Sequence, residues 1–84
     1  SLSQNYPNPF NPTTNIRYAL PRAGEVKLTV FNTLGKEVET LVNEHQSAGT
    51  YEVSFDASQY PSGVYFYRLT TDNFSDTKRM LLVK

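Results

Sequence analysis

The sequence predicts an all-β fold in which two antiparallel sheets pack face to face. Apolar and polar residues alternate with a period of two in several short segments, as expected for strands with one buried face. The four glycines at positions 24, 35, 49 and 63 are 11, 14 and 14 residues apart, which matches the repeat of strand plus turn in a β-sandwich. Aromatic residues make up 13% of the 84 residues, and their large side chains can build a core in so short a chain.

A segment rich in proline and asparagine opens the chain, with the sequence QNYPNPFNPTTN at residues 4–15. Proline favours extended backbone and asparagine favours turns, so composition alone fits a flexible linker. Tyr6 and Phe10, however, are large rings for which a solvated linker has no use. We therefore expect residues 1–13 to form an ordered, extended N-terminal segment whose rings cap the core, and residues 14–84 to form the sandwich.

Two strands are expected next. Alternation runs through residues 15–20 and residues 25–30, and the PRAG sequence at 21–24 favours a turn between them. The FNTLGK sequence at 31–36 then predicts a hairpin loop with a type I turn, closed by Gly35 in the left-handed conformation.

The third strand is the least regular. It is expected from Lys36 to Val42, where Val38 and Leu41 are apolar. Their spacing of three residues also fits one or two helical turns, so the periodicity leaves both structures open. The QSAG sequence at 46–49 favours the next turn.

Three further strands complete the pattern. Residues 50–55 alternate cleanly, and residues 64–71 carry apolar side chains on both faces, which is typical of a central strand covered on both sides. Asp72 and Asn73 suit a two-residue hairpin turn in which both have positive φ, and residues 74–84 then pair back. Counting the N-terminal segment, we expect an immunoglobulin-like Greek-key β-sandwich of about seven antiparallel strands, without the disulfide and tryptophan of antibody domains.

Composition and charge argue against several functional classes. Eight lysines and arginines balance eight acidic residues, so no net positive charge attracts nucleic acid. No cysteine is present to form a disulfide or a thiolate zinc site. No apolar run reaches the roughly 18 residues of a membrane-spanning helix. We expect no nucleic-acid partner, no membrane span and no cofactor.

Candidate catalytic and metal-binding residues are few. His45 is the only histidine, and no motif orients it as a base. Glu37 and Glu39 form a carboxylate pair that is better explained as a solvated strand face. Asp72, Asn73 and Asp76 are the residues that most nearly suggest a calcium site, but their spacing fits no calcium-binding loop. We therefore expect no enzymatic activity.

Two surface features leave alternatives open. Tyr60, Tyr65 and Tyr67 could stack against sugars, although filling the core is the favoured interpretation. Charge is uneven, with five acidic and no basic residues in 37–56 and three basic and no acidic residues in 77–84. These regions are either solvated edges or, for the last strand, a basic and apolar segment that a partner could pair with or clamp.

Several ordered segments together resemble one known family. They are YPNPFNP at 6–12 with IRYALP at 16–21, VFNTLGK at 30–36, AGTY at 48–51, SGVYFYRL at 62–69 and KRMLLVK at 78–84. The set is similar to the type A C-terminal sorting domain of the type IX secretion system of Bacteroidetes. The resemblance covers nearly the whole chain, and the ordered set is far more specific than any one segment.

This resemblance implies an immunoglobulin-like sandwich, similar to that of the flagellar hook-capping protein, that acts as a non-catalytic secretion signal. The parent protein would cross the inner membrane by its own N-terminal signal, and the outer-membrane translocon would then export it to the medium or cell surface. A sortase-like cysteine peptidase commonly removes such a domain and attaches the parent to anionic lipopolysaccharide. The alternative function is a carbohydrate-binding, adhesive or structural immunoglobulin-like module of a secreted enzyme.

The resemblance also places functional residues. Translocon recognition would fall on Gly63, Tyr65, Lys78, Arg79, Met80, Leu81, Leu82, Val83 and Lys84. Structural motif positions would be Pro7, Asn8, Pro9, Phe10, Gly35 and Gly49. Phe55 and Asp56 stand where many relatives have Trp-Asp, a difference expected to affect packing more than export. Because the chain starts without methionine or an export signal, we expect residues 1–84 to be a single sorting domain from a larger secreted protein with its cargo N-terminal.

Overall fold

Six strands in two sheets form the structure, a computed structural model that describes residues 1–84. The strands are β1 Thr13–Leu20, β2 Gly24–Phe31, β3 Glu37–Gln46, β4 Gly49–Asp56, β5 Gly63–Thr71 and β6 Ser75–Leu82. β1 and β4 form a two-stranded sheet, and the larger sheet has the order β3-β2-β5-β6, with every pair antiparallel. The predicted all-β sandwich is confirmed. The structure contains no helical segment with the length and hydrophobicity needed to span a lipid bilayer.

The core lies between the two sheets and is built mainly from alternate residues of β1, β2, β5 and β6. Three strands supply most of it, with side chains at most 5% exposed: Ile16, Tyr18, Leu20, Val26, Leu28, Val30, Tyr65, Tyr67 and Leu69. The buried tyrosines keep their hydroxyl groups hydrogen-bonded, and no buried polar side-chain atom lacks a partner. The period-two pattern of the sequence thus identifies the inner faces of both sheets.

Two irregular positions explain the uneven sequence of β3. The register of β3 against β2 shifts twice, which leaves Val38 and Leu41 without a partner residue. Extra residues of this kind interrupt the alternation of a strand without ending it. The helical alternative is therefore wrong. β3 also runs past Val42 as far as Gln46, so the following turn is shorter than predicted.

The N-terminal segment crosses from one sheet to the other instead of forming a seventh strand. Leu2 and Tyr6 make isolated antiparallel bridges to β1, and Phe10 makes a parallel bridge to Leu82 of β6. Prolines at positions 7, 9 and 12 lack the N–H group that a continuous ladder requires. The expected count of seven strands is corrected to six strands and a bridging segment.

Only one of the two aromatic rings of this segment caps the core. Phe10 is 2% exposed, and its ring centroid lies 6.1 Å from that of Phe55. Tyr6 is 80% exposed, because it lies opposite Asn15 on the outer side of the smaller sheet, so its predicted role in the core is wrong. Asn5 is buried instead, and its amide donates to the hydroxyl of Thr14 over 3.0 Å.

One predicted turn is confirmed and one differs. Gly35 has φ of +80°, and its N–H donates to the carbonyl oxygen of Asn32, as the left-handed position of a hairpin loop requires. Asp72 and Asn73 also form a turn, but neither has positive φ, so their predicted conformation is wrong. The hydroxyl oxygen of Thr71 accepts two backbone N–H groups there and closes the turn with ordinary backbone angles.

Candidate recognition surface

β6 has a buried face and an exposed face. Its alternation places Met80 and Leu82 in the core, each 1% exposed. Lys78, on the same side, is half-buried. The remaining residues of the predicted run 78–84 are exposed to solvent: Arg79, Leu81, Val83 and Lys84. The structure therefore divides the run into residues that a partner can touch and residues that hold the strand in place.

The N-terminal segment covers the free edge of β6. The N–H of Phe10 donates to the carbonyl oxygen of Leu81, and the N–H of Val83 donates to the carbonyl oxygen of Phe10, each over 2.9 Å. The side chain of Asn8 accepts the N–H of Leu81 over 3.0 Å, and that of Gln4 donates to the carbonyl oxygen of Arg79 over 2.7 Å. A partner cannot add a strand along this edge while the segment is in place.

Gly63 and Tyr65 support β6 from the neighbouring strand. Gly63 lies opposite Leu82 with φ of +148°, a conformation that side-chain-bearing residues rarely adopt. Tyr65 lies opposite Met80, its ring is buried, and its hydroxyl donates to the carbonyl oxygen of Pro61 over 2.7 Å. Burial also raises the pKa of Tyr65. These two residues meet the terminal run in space, although Tyr65 offers no ring surface to a partner.

The motif positions of the N-terminal segment hold the same edge together. The carbonyl oxygen of Pro7 accepts the hydroxyl of Thr14 over 2.8 Å, which fixes the start of the crossing. Asn8 and Pro9 line one wall of a groove next to β6, and Phe10 fills the core below it. Gly49 opens β4 opposite Leu20, far from this edge. The first and last motifs of the sequence thus form one structural unit.

The outer side of the larger sheet carries an apolar strip, of which sequence analysis selected only Leu81 as a candidate site residue. Cross-strand pairs place Phe31 beside Phe66 and Val64 beside Leu81, and we call these four residues the outer strip. β5 is central in its sheet, as predicted, but the smaller sheet covers only its inner face. The apolar residues on both faces of β5 were the available signal. The prediction that β5 is covered on both faces is wrong, because no second layer lies against its outer face.

Of the residues considered for catalysis and metal binding, Glu37 lies beside the outer strip, opposite Phe31, and the others lie outside the strip. His45 is exposed on β3. The carboxylate of Glu37 accepts the hydroxyl of Thr40, and that of Glu39 accepts the hydroxyl of Tyr60 over 2.6 Å. No group of three or more histidine, cysteine, aspartate or glutamate side chains is placed to hold a metal ion.

The three tyrosines considered for sugar stacking belong to the core and its rim. Tyr67 is fully buried and donates to the carbonyl oxygen of Ser3, and this burial raises its pKa to about 12. Tyr60 is half-buried against Tyr65, and its hydrogen bond to Glu39 raises its pKa to about 12. Because Tyr65 and Tyr67 are buried and the Tyr60 ring is tilted by 50° against that of Tyr65, the three rings form no flat exposed platform for a sugar.

The family description "Secretion system C-terminal sorting domain" matches residues 4–84. The chain belongs to this family. No curated protein matches it. Among solved structures, a chain of PorZ, an essential bacterial surface component of the type-IX secretion system of Porphyromonas gingivalis, superposes on 96% of the sorting domain with a TM-score of 0.68 at 23% identity. The sorting domain spans only 11% of that chain, so this likeness concerns the fold.

Membership confirms the expected family, fold and function. The sorting domain is the C-terminal secretion signal of the type IX system, and a protein that carries it is secreted or displayed at the cell surface. Its family is one of sorting signals, and nothing supports the carbohydrate-binding alternative.

Proposed function

We propose that the outer-membrane translocon of the type IX system reads this sorting domain as a folded surface, through the exposed residues of the terminal run. These are Arg79, Leu81, Val83 and Lys84. Gly63, Tyr65, Met80 and Leu82 act indirectly by holding β6 in position, and half-buried Lys78 lies at the margin. The translocon contacts side chains that project from the sheet and does not pair with the strand.

The observation that carries this proposal is the cover over the edge of β6. Backbone groups of Leu81 and Val83 are already bonded to Phe10, and the side chain of Asn8 takes the remaining N–H of Leu81. The position of Lys84 is also fixed, since its side-chain amino group donates to the carbonyl oxygen of Ser58 over 2.6 Å. What remains accessible is a row of side chains on a rigid support, which suits recognition after folding.

The proposal extends to the parent protein. Residues 1–84 serve as the single sorting domain of a larger secreted protein, residues 1–13 bridge the sheets, and the cargo precedes Ser1. Ser1 is exposed, so a preceding chain can leave the sandwich directly into solvent. The sorting domain itself catalyses nothing, and a sortase-like cysteine peptidase separates it from the cargo and attaches the cargo to the cell surface.

The test is a reporter with an N-terminal export signal fused to residues 1–84, expressed in a host with the type IX system. We expect the reporter outside the cell. Leu81→Ser combined with Val83→Ser should reduce export at least tenfold and leave the reporter in the periplasm, with an unchanged thermal unfolding curve. Full export of this folded variant would contradict the proposal.

A matched control removes a different exposed apolar side chain. Tyr6 is 80% exposed on the other sheet, so Tyr6→Ser should leave export unchanged. Deleting residues 80–84 should also block export, but it removes Met80 and Leu82 from the core, so this deletion alone does not separate recognition from folding.

A further inference from the structure

The outer strip is not needed to build the core. Phe31, Val64 and Phe66 are half-buried, and none of them belongs to the core cluster or to the residues packed against it. The outer face of a two-layer sandwich is normally polar, because only the inner face is shielded from water. Four large apolar side chains side by side on that face therefore indicate a surface that another molecule covers.

Two arginines on the same face have no acidic partner within the chain. The guanidinium carbon of Arg68 lies 4.4 Å from the centroid of the Phe31 ring, a cation–π contact that keeps the charge over the strip. Arg79 lies opposite Phe66 in the cross-strand register. The single salt bridge of the structure joins Arg17 and Glu52 on the other sheet. Both guanidinium groups are therefore free to pair with carboxylates from outside the chain.

Two grooves extend the strip into a continuous surface. One, of about 240 Å³, is lined by Phe31, Phe66, Arg68, Thr77 and the turn between β2 and β3. The other, of about 210 Å³, lies between Val64, Arg79, Leu81 and the N-terminal segment. Each is smaller than the roughly 300–1,000 Å³ of a small-molecule pocket, and such depressions suit the protruding side chains of a protein.

We infer that the outer strip with Arg68 and Arg79 is the docking face for a protein of the secretion apparatus whose surface presents apolar side chains flanked by carboxylates. This inference rests on the proposed function and deepens it by naming the face and the chemistry of the partner. Aromatic residues and arginine are the types enriched at the centres of protein interfaces. An anionic lipid surface is disfavoured, since its recognition uses clusters of about four to eight cations, whereas the strands of this face carry three, Lys27, Arg68 and Arg79.

The first experiment identifies what covers the strip. Benzoylphenylalanine is introduced at position 66 of the exported reporter fusion and irradiated in cells that are secreting it, with position 54, on the outer face of the smaller sheet, as the matched control. We expect an adduct at position 66 with a protein of the type IX apparatus, identified by mass spectrometry, at least tenfold stronger than at position 54. An adduct with glycolipid alone, or equal adducts at both positions, would overturn the inference.

The second experiment tests the charge. Arg68→Glu combined with Arg79→Glu should lower both the position-66 adduct and export at least tenfold. The variant should stay folded, because neither arginine is buried or in a salt bridge and the contact that is lost is the exposed cation–π contact of Arg68 with Phe31. Replacing both by lysine should keep more export than the glutamate pair does. Arg17→Glu, on the opposite face, should leave export intact.

The outcomes separate the inference from the proposed function. If the original fusion and the double glutamate variant are exported equally, the docking face and the role given to Arg79 are wrong, while recognition through Leu81 and Val83 stands. If the Leu81 and Val83 variant is exported normally, the proposed function fails, whatever adduct position 66 forms.

Discussion

The outer faces of the two sheets differ in how they meet solvent. On the smaller sheet, Arg17 lies opposite Glu52 and their side chains form a salt bridge of 2.8 Å, while Asn15 lies opposite Ser54. On the larger sheet, Phe31 lies opposite Phe66, and the neighbouring arginines have no carboxylate partner. On the outer face of the smaller sheet, Arg17 and Glu52 therefore neutralise each other within the chain. On the outer face of the larger sheet, apolar side chains and unpaired arginines remain available to a partner.

The comparison distinguishes residues that stabilise the fold from residues that are exposed for recognition. Inner-face residues are shielded by the opposite sheet, so their burial contributes to stability. The outer strip receives no such shield and contributes little, although its residue types resemble those of the core. A substitution there should change recognition, whereas a substitution one residue away in β6 should change stability.

The largest expected effect therefore contrasts two adjacent leucines. Leu82→Ala should lower the free energy of unfolding by about 2–5 kcal/mol, because it leaves a cavity in the core. Leu81→Ser should change it by less than about 0.5 kcal/mol, because this side chain faces outward. Urea unfolding of both variants measures the contrast. Equal losses would mean that the outer strip holds the fold together and that the two outer faces do not differ in function.

Alkaline pH should lower the free energy of unfolding through Tyr67, which is buried on the inner face of the larger sheet. The pKa of Tyr67 is raised by burial from 10.0 to about 12, so the unfolded chain loses this proton first as pH rises. Stability from this group is intact below about pH 10 and falls between pH 10 and 12, by at most about 1.4 kcal/mol per pH unit. Urea unfolding from pH 8 to 12 measures the slope, and Tyr67→Phe should reduce it. An identical slope in this variant would contradict the assignment.

A smaller effect is expected at the covered edge of β6. Asn8→Ala removes the acceptor for the N–H of Leu81 and should lower the free energy of unfolding by about 0.5–1.5 kcal/mol. Amide hydrogen exchange should accelerate at Leu81 and not at the paired amides of β2. Unchanged exchange at Leu81 would show that the N-terminal segment does not protect this edge.

The smallest effect belongs to the paired face. The side chains of Arg17 and Glu52 are 65% and 47% exposed, and such surface salt bridges contribute about 0.2–1 kcal/mol. Arg17→Ala should therefore cause a loss within that range that disappears at high salt, with export unchanged. A defect in export as large as that of the outer-strip variants would remove the functional distinction between the two faces.

Most of the fold was predictable because alternation is a local signal. Residues 15–20, 25–30 and 50–55 alternate as simple strands and form β1, β2 and β4. The sequence of β3 was ambiguous because its two unpaired residues, Val38 and Leu41, break the alternation. The conformation at Asp72 and Asn73 was missed because the hydroxyl of Thr71, outside the two-residue turn, accepts the backbone N–H groups.

The candidate site was predictable only in part. The resemblance pointed to Gly63, Tyr65 and the run 78–84, and these residues do lie together. Which of them face solvent depends on the position of the second sheet, which alternation in a single strand does not reveal. The pairing of the N-terminal segment with the edge of β6 could not be predicted either, since it joins Asn8 and Phe10 to residues more than 70 positions away.

The amino-acid sequence by itself determined the strands, most of the inner faces and the family, because strand periodicity, turn residues and ordered motifs are properties of neighbouring positions. The tertiary structure alone decided that β5 and β6 have one shielded face and one open face, and that the two ends of the chain form one edge. The physical reason is that shielding from water and backbone pairing depend on which distant segments come together, and the period of a strand is the same whichever side they cover.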